Sequence, residues 1–198
     1  MRVPGSENMT PAPPAAVLTQ LRREEANAVE LWLQYKGYHW NVGGPLFLEL
    51  HRLFDEHAAQ LVGEIDALAE RLRTLGGPAP YTLEELRRAG RLEEDLALPA
   101  SPSRMLDRLL ASHRVIVEGL REGIRVAEAH DDPGTSDLLV GFLGAHEKMA
   151  WFLRELALGA APLADEGVPV GPLTAGRSPT PHATAFEHPT AMPDRPVA

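Results

Sequence analysis

The sequence predicts an all-α fold: a four-helix bundle whose long crossover carries a short extra helix. Three observations predict it. Apolar residues recur at a period near 3.6 through most of the first 160 residues. Gly- and Pro-rich breaks divide that stretch into two pairs of long segments, and no segment shows the strict alternation of a strand. With 198 residues, 44% of them hydrophobic, the chain supports one domain with a core of its own.

The elements follow in order. From Ala15 to about His39, apolar residues at Val17, Leu18, Leu21, Ala28, Leu31 and Tyr35 define the first helix, which Asn41, Gly43, Gly44 and Pro45 end. A second helix runs from about Leu46 to Leu75 and stops at Gly76-Gly77-Pro78. Thr82 followed by Glu85 is a capping-box pattern opening a short helix in the crossover. Ser101 or Ser103 opens a third long helix reaching about His130. Asp131-Asp132-Pro133-Gly134 turns into a fourth, from about Thr135 to Leu158, ended by Gly159. The helical domain therefore occupies 15–160. Residues 1–14 read as a flexible arm. Residues 161–198, with eight of the eighteen prolines, read as a disordered or extended tail.

Composition narrows the chemistry. The absence of cysteine excludes disulfides, iron–sulfur clusters and thiolate zinc sites, so any metal must use His, Asp and Glu, a set suited to iron, manganese or zinc. A formal net charge of −9 argues against nucleic acid as an obligatory partner and favours attracting cations. No apolar run approaches the length that spans a bilayer, and residues 1–16 lack the apolar centre of a secretory signal, so no membrane and a cytoplasmic location are expected.

Four residues of the second helix carry the most information. His51 and Glu70 share a midpoint with Asp55 and Asp66, between Gln60 and Leu61, and all four project within a stripe of roughly 100°. Asp55 and Asp66 are nevertheless about 16 Å apart along the axis. One metal cannot be held by both ends of one copy, but two copies packed antiparallel about a two-fold bring His51 and Asp55 of one to Glu70 and Asp66 of the other. Ala58, Ala59, Val62 and Gly63 lie between the ligands, where small side chains allow close approach at an isologous interface or packing against the chain's own next helix.

Lys36-Gly37-Tyr38-His39-Trp40-Asn41-Val42-Gly43-Gly44, the segment from Phe47 through Asp55-Glu56-His57, Ile65-Asp66-Ala67-Leu68-Ala69-Glu70-Arg71, and Leu75-Gly76-Gly77 together closely resemble the Dps family, the miniature ferritins named as DNA-binding proteins from starved cells. The resemblance covers about residues 15–160. It implies a ferritin-like bundle, the connectivity the element order already describes, assembled as a hollow homododecamer. It implies ferroxidase sites at dimer interfaces, with His39, His51 and Asp55 from one subunit and Asp66 and Glu70 from its mate. The chain has no Glu-x-x-His, the motif of sites held inside one bundle. By the same resemblance the substrates are Fe(II) and preferably hydrogen peroxide, with Fe(III) stored as mineral and DNA spared oxidative damage. Other divalent metals are alternatives to iron. Trp40, next to His39, is either an electron or radical sink or an aromatic packed at a helix end.

Glu128, Asp131, Asp132 and Asp137 surround the turn into the fourth helix, where the resemblance implies a three-fold pore for iron. The competing role for Asp137 is helix capping in a first turn. Of the remaining histidines, His57 is expected on solvent or a partner helix rather than as a ligand, and His113 and His146 as packed or surface residues. His182, Glu187 and His188 in the tail are candidates for an accessory metal site. Two other functions compete: a nucleoid protein that binds DNA non-specifically, and a passive divalent-metal buffer. DNA binding ranks low because Arg2 is offset by Glu7, and because Asp165, Glu166, Glu187 and Asp194 outnumber Arg177 and Arg195 in the tail.

Overall fold

A computed structural model describes residues 14–93 and 100–160. The N-terminal arm up to residue 13, the tail from 161, and with it His182, Glu187 and His188, lie outside the described residues. Five helices follow in order: α1 (Ala15–Asn41), α2 (Phe47–Thr74), α3 (Leu83–Ala89), α4 (Pro102–Ala129) and α5 (Pro133–Ala160). The hairpins α1–α2 and α4–α5 pack on each other, with α1 against α4 and α2 against α5, and α3 lies on α1. Leu21, Leu31, Tyr35, Leu50, Phe54, Leu61, Leu68, Leu72, Leu109, Ile116, Leu120 and Leu153 fill the core, the apolar set that a bundle of this kind requires. Among the described residues no helix is long and apolar enough to cross a membrane.

The helix ends show why the chain stops and turns where it does. At the end of α2, Gly76 takes φ +83° and the amides of Gly77 and Gly76 donate to the Leu72 and Arg73 carbonyls, a Schellman closure that glycine accepts without strain. The end of α4 closes the same way, with Asp131 at φ 54° and the Asp132 amide on the Ala127 carbonyl. The capping box of α3 is present in both directions between Thr82 and Glu85. Ser101, not Ser103, caps α4, with Pro102 in its first turn.

One expectation needs correction, and for two residues the packing decides between alternatives. The fourth long helix begins at Pro133 rather than Thr135, because proline suits the first helical position and Asp132 caps it, accepting from the Thr135 amide at 3.0 Å. Ala58 is a core residue at 1% exposure, whereas Ala59, Val62 and Gly63 remain on the outer face. His57 is 1% exposed, not on solvent. Its phase turns it away from the face of His51, Asp55, Asp66 and Glu70, and the side it turns to is the one that carries Leu50, Leu61 and Leu68.

Candidate metal centre

The short turn after α1 lays the last turn of that helix beside the first turns of α2, and this brings His39 and His51 together. Their rings stack with centroids 3.8 Å apart and planes 20° apart. His39 Nδ1 lies 2.8 Å from the His51 carbonyl oxygen, and His51 Nδ1 lies 2.9 Å from that of His39. A carbonyl oxygen only accepts, so both Nδ1 atoms carry the proton and donate. With Nδ1 committed to backbone, Nε2 is the nitrogen left to present a lone pair to a metal, an orientation fixed by the carbonyls rather than by chance.

Asp55 stands one turn further along α2, exposed. Its Oδ1 accepts from Lys36 Nζ at 2.7 Å, and this hydrogen-bonded ammonium holds the Asp55 carboxyl below the usual range. A positive charge therefore already sits where a cation would bind. The Lys36 ammonium also lies 5.8 Å from the centre of the Trp40 ring. Trp40 itself is 64% exposed, so within this chain it is not packed at the helix end.

Asp66 and Glu70 are exposed on the same side of α2, toward its other end, one turn apart. Neither carboxylate is engaged by another described residue, and like charges at this spacing repel unless a cation intervenes. Because α2 is an unbroken helix from Phe47 to Thr74, Asp66 stays about 16 Å and Glu70 about 22 Å of axial rise from Asp55. Among the described residues no group of three or more His, Asp or Glu side chains within the one chain is placed to hold a metal ion. The chain brings His39 and His51 into contact, sets Asp55 one turn further along α2 on Lys36, and keeps Asp66 and Glu70 apart from all three.

The ferritin-like domain family matches residues 18–158. A DNA protection during starvation protein of Brevibacillus brevis is 35% identical over 142 residues, covering 70% of this chain and 92% of that protein. A low temperature-induced protein of Nostoc sp. is 36% identical over 144 residues, 72% of this chain and 80% of that one. The Dps of Thermosynechococcus elongatus superposes with a TM-score of 0.69 at 34% identity, over 78% of this chain and 94% of that structure. The chain belongs to the Dps family. A Dps structure from Vibrio cholerae, 25% identical with a TM-score of 0.69, is described as a member of a broad superfamily of ferritin-like diiron-carboxylate proteins. The donor set here, imidazole and carboxylate without thiolate, fits the same hard to intermediate metals.

Around the α4–α5 turn of this Dps chain the carboxylates divide. Asp132 is largely spent internally: Oδ1 accepts from Arg71 at 2.6 Å and from the Thr135 amide, and Oδ2 from the Thr135 hydroxyl at 2.6 Å. These bonds hold its carboxyl below the usual range even against partial burial. Glu128, Asp131 and Asp137 are exposed. Asp137 lies beyond the first turn of α5, so the capping role considered for it belongs to Asp132.

Sequence reasoning missed a polar chain through the middle of the bundle. His57 Nδ1 lies 2.9 Å from the Tyr35 hydroxyl, which is 2.6 Å from His113 Nε2. His113 Nδ1 is 2.9 Å from His146 Nδ1, and His146 Nε2 is 3.0 Å from both Glu64 oxygens. All five residues are buried, and the bonds tie α2, α1, α4, α5 and α2 again. Burial pushes His57 down to about 4 and His113 well below its ordinary value, and it raises the Tyr35 phenol well above 10. The signal was present in the sequence as ionisable residues at core phases of all four long helices, but a phase says only that a side chain points inward, not what it meets.

Proposed function

We propose that this protein is an Fe(II)-oxidising iron-storage protein whose reaction sites form only when two copies pair about α2. The observation that carries the reading is the split donor set: two imidazoles with Nε2 free and Asp55 at one end of an exposed stripe, and two unengaged carboxylates at its mirror position. Antiparallel pairing of α2 across Ala59, Val62 and Gly63 joins His39, His51 and Asp55 of one subunit to Asp66 and Glu70 of the other, twice per dimer. Twelve subunits closing into a hollow shell would follow the family's plan and give the oxidised iron a cavity.

In this reading Fe(II) is the substrate. It displaces the Lys36 ammonium from Asp55, so neutral imidazoles bind the reduced ion and carboxylates favour the harder Fe(III) product. Hydrogen peroxide takes two electrons, one from each of two Fe(II), its O–O bond breaks, and two protons complete two waters. Pairing the electrons in this way withholds the hydroxyl radical that a single-electron step releases, which is how such a protein spares DNA. Direct DNA binding is secondary at most: relatives bear DNA-protection names, but Lys occurs here only at positions 36 and 148.

A mixed dimer tests the shared site. His51→Ala and Glu70→Ala subunits should each lose fast Fe(II) oxidation alone. Co-assembled, a dimer with one of each retains one intact site, so stopped-flow oxidation should recover in part. No recovery in verified mixed assemblies would sink the shared-site reading.

A further inference from the structure

The buried chain from His57 to Glu64 takes no part in the metal face, yet its geometry constrains what it can do. With Glu64 as a carboxylate, His146 donates from Nε2 and accepts at Nδ1. His113 then donates from Nδ1 and accepts at Nε2, so the Tyr35 hydroxyl donates to His113 at 2.6 Å while its oxygen accepts from His57 Nδ1 at 2.9 Å. Every bond is satisfied in one sense. The result is a phenol with a proton acceptor at 2.6 Å on one side and a hydrogen-bond donor on the other, sealed at 0% exposure.

We propose that Tyr35 is a one-electron donor that completes the reduction of peroxide when a site holds only one Fe(II), releasing its phenolic proton to His113. The proposal rests on the ferroxidase reading for its oxidant. Tyr35 is placed for the task. It sits one turn before His39 on α1, about 6 Å of axial rise away, and its ring packs 6.0 Å from Phe54, the neighbour of Asp55 in α2. Its phenol keeps its proton until an electron leaves, and burial keeps His113 neutral with a free lone pair to receive it. The imidazolium so formed is steadied through His146 by the Glu64 carboxylate, while the His57 N–H holds the phenoxyl oxygen.

The step balances. The O–O bond of hydrogen peroxide breaks. One electron comes from Fe(II), giving Fe(III), and one from Tyr35, giving a neutral phenoxyl radical. Two protons from solvent at the site complete two waters, and the phenolic proton moves to His113. A second Fe(II) later reduces the phenoxyl, which recovers its proton from His113. The sum is two Fe(II) oxidised per peroxide, with the oxidising equivalent parked on a buried ring between the two arrivals.

Tyr35 is thus a positioning and electron-donor residue rather than an iron ligand, and the test is spectroscopic. In one arm, the metal-free full chain is oxidised with photogenerated ruthenium(III) tris-bipyridine. In the other, the chain carrying half an Fe(II) per site receives peroxide and is frozen for electron paramagnetic resonance. Both should give a tyrosyl signal that Tyr35→Phe abolishes and that Tyr38→Phe, Tyr81→Phe and Trp40→Phe retain. His113→Gln, which can accept a hydrogen bond but is a far weaker base, should shorten the radical's lifetime with helicity unchanged by circular dichroism. A signal that survives in Tyr35→Phe, or no signal in either arm, overturns the proposal, and an unchanged lifetime in His113→Gln overturns the proton transfer. A signal with ruthenium but none with peroxide, while iron is still oxidised, removes Tyr35 from the reaction and leaves the ferroxidase reading standing. Wild-type protein that leaves Fe(II) unoxidised by peroxide fails the ferroxidase reading itself.

Discussion

Glu25 on α1 is buried at 3% exposure, and its Oε2 is the one buried side-chain oxygen or nitrogen among the described residues without a hydrogen-bond partner. Leaving such an acceptor unmade costs about 1–3 kcal/mol. Burial raises its carboxyl to about 7, opposed only by Arg22. A carboxyl whose folded value is raised adds stability that is full below the unfolded value near 4.5 and is lost as pH climbs through 7. His57, depressed to about 4, acts in the opposite sense: its contribution is present above 6.5 and lost as pH falls through 4. Glu25→Met should therefore raise the melting temperature clearly at pH 8 and little at pH 5. An equal gain at both pH values in thermal melts would mean that packing, not charge, limits this site.

The α4–α5 turn separates two acids that look alike in sequence. Asp132 caps α5 and pairs with Arg71 of α2, so it ties the end of one hairpin to the start of the next helix. Asp132→Ala should destabilise the chain by about 1–3 kcal/mol, the loss of a cap plus a partly buried ion pair, measured by urea denaturation. Asp137, exposed and beyond the first turn, should behave differently. Asp137→Asn should leave stability within error while slowing Fe(II) uptake at low ionic strength and removing its salt sensitivity, if three symmetry copies form a negative funnel. Uptake unchanged at low salt would leave Asp137 without a role in iron attraction.

For the whole molecule, the proposed assembly puts its two-fold seam on the outer face of α2. A side chain grown from Gly63 meets nothing within 4 Å in the single chain. Gly63→Trp should thus fold normally by circular dichroism, yet overpack the two-fold seam by about 1–3 kcal/mol or more per interface. Light scattering should show smaller species than wild type. A wild-type chain that is a stable monomer at micromolar concentration contradicts both the assembly and the shared site. The net charge of −9 sets the last expectation: duplex DNA binding that is weak, non-specific and steeply reduced by salt, because phosphate neutralisation is all that is available. Submicromolar, salt-resistant binding in a gel shift would require a basic surface on the helical domain.

The helices, their caps and the shared face of the His and carboxylate side chains on α2 were legible in the sequence because each depends on neighbours within a turn or two. The helical period turns His51, Asp55, Asp66 and Glu70 to one side of α2, and Gly76-Gly77 and Thr82–Glu85 stop and start helices through local hydrogen bonds. The helical rise likewise set Asp66 about 16 Å from Asp55 along one copy. Which side of α2 faces the core was not local, so Ala58 was left between a two-fold seam and the chain's own next helix, and His57 between solvent and a partner helix. Packing of α1 and α5 against that helix decided both. The Lys36–Asp55 pair spans 19 residues, the Arg71–Asp132 pair 61, and the bond from Tyr35 to His113 spans 78. No period or cap couples residues so far apart in sequence. Only the burial of four helix faces against one another, which forces every enclosed polar atom to find a partner, brings those side chains together.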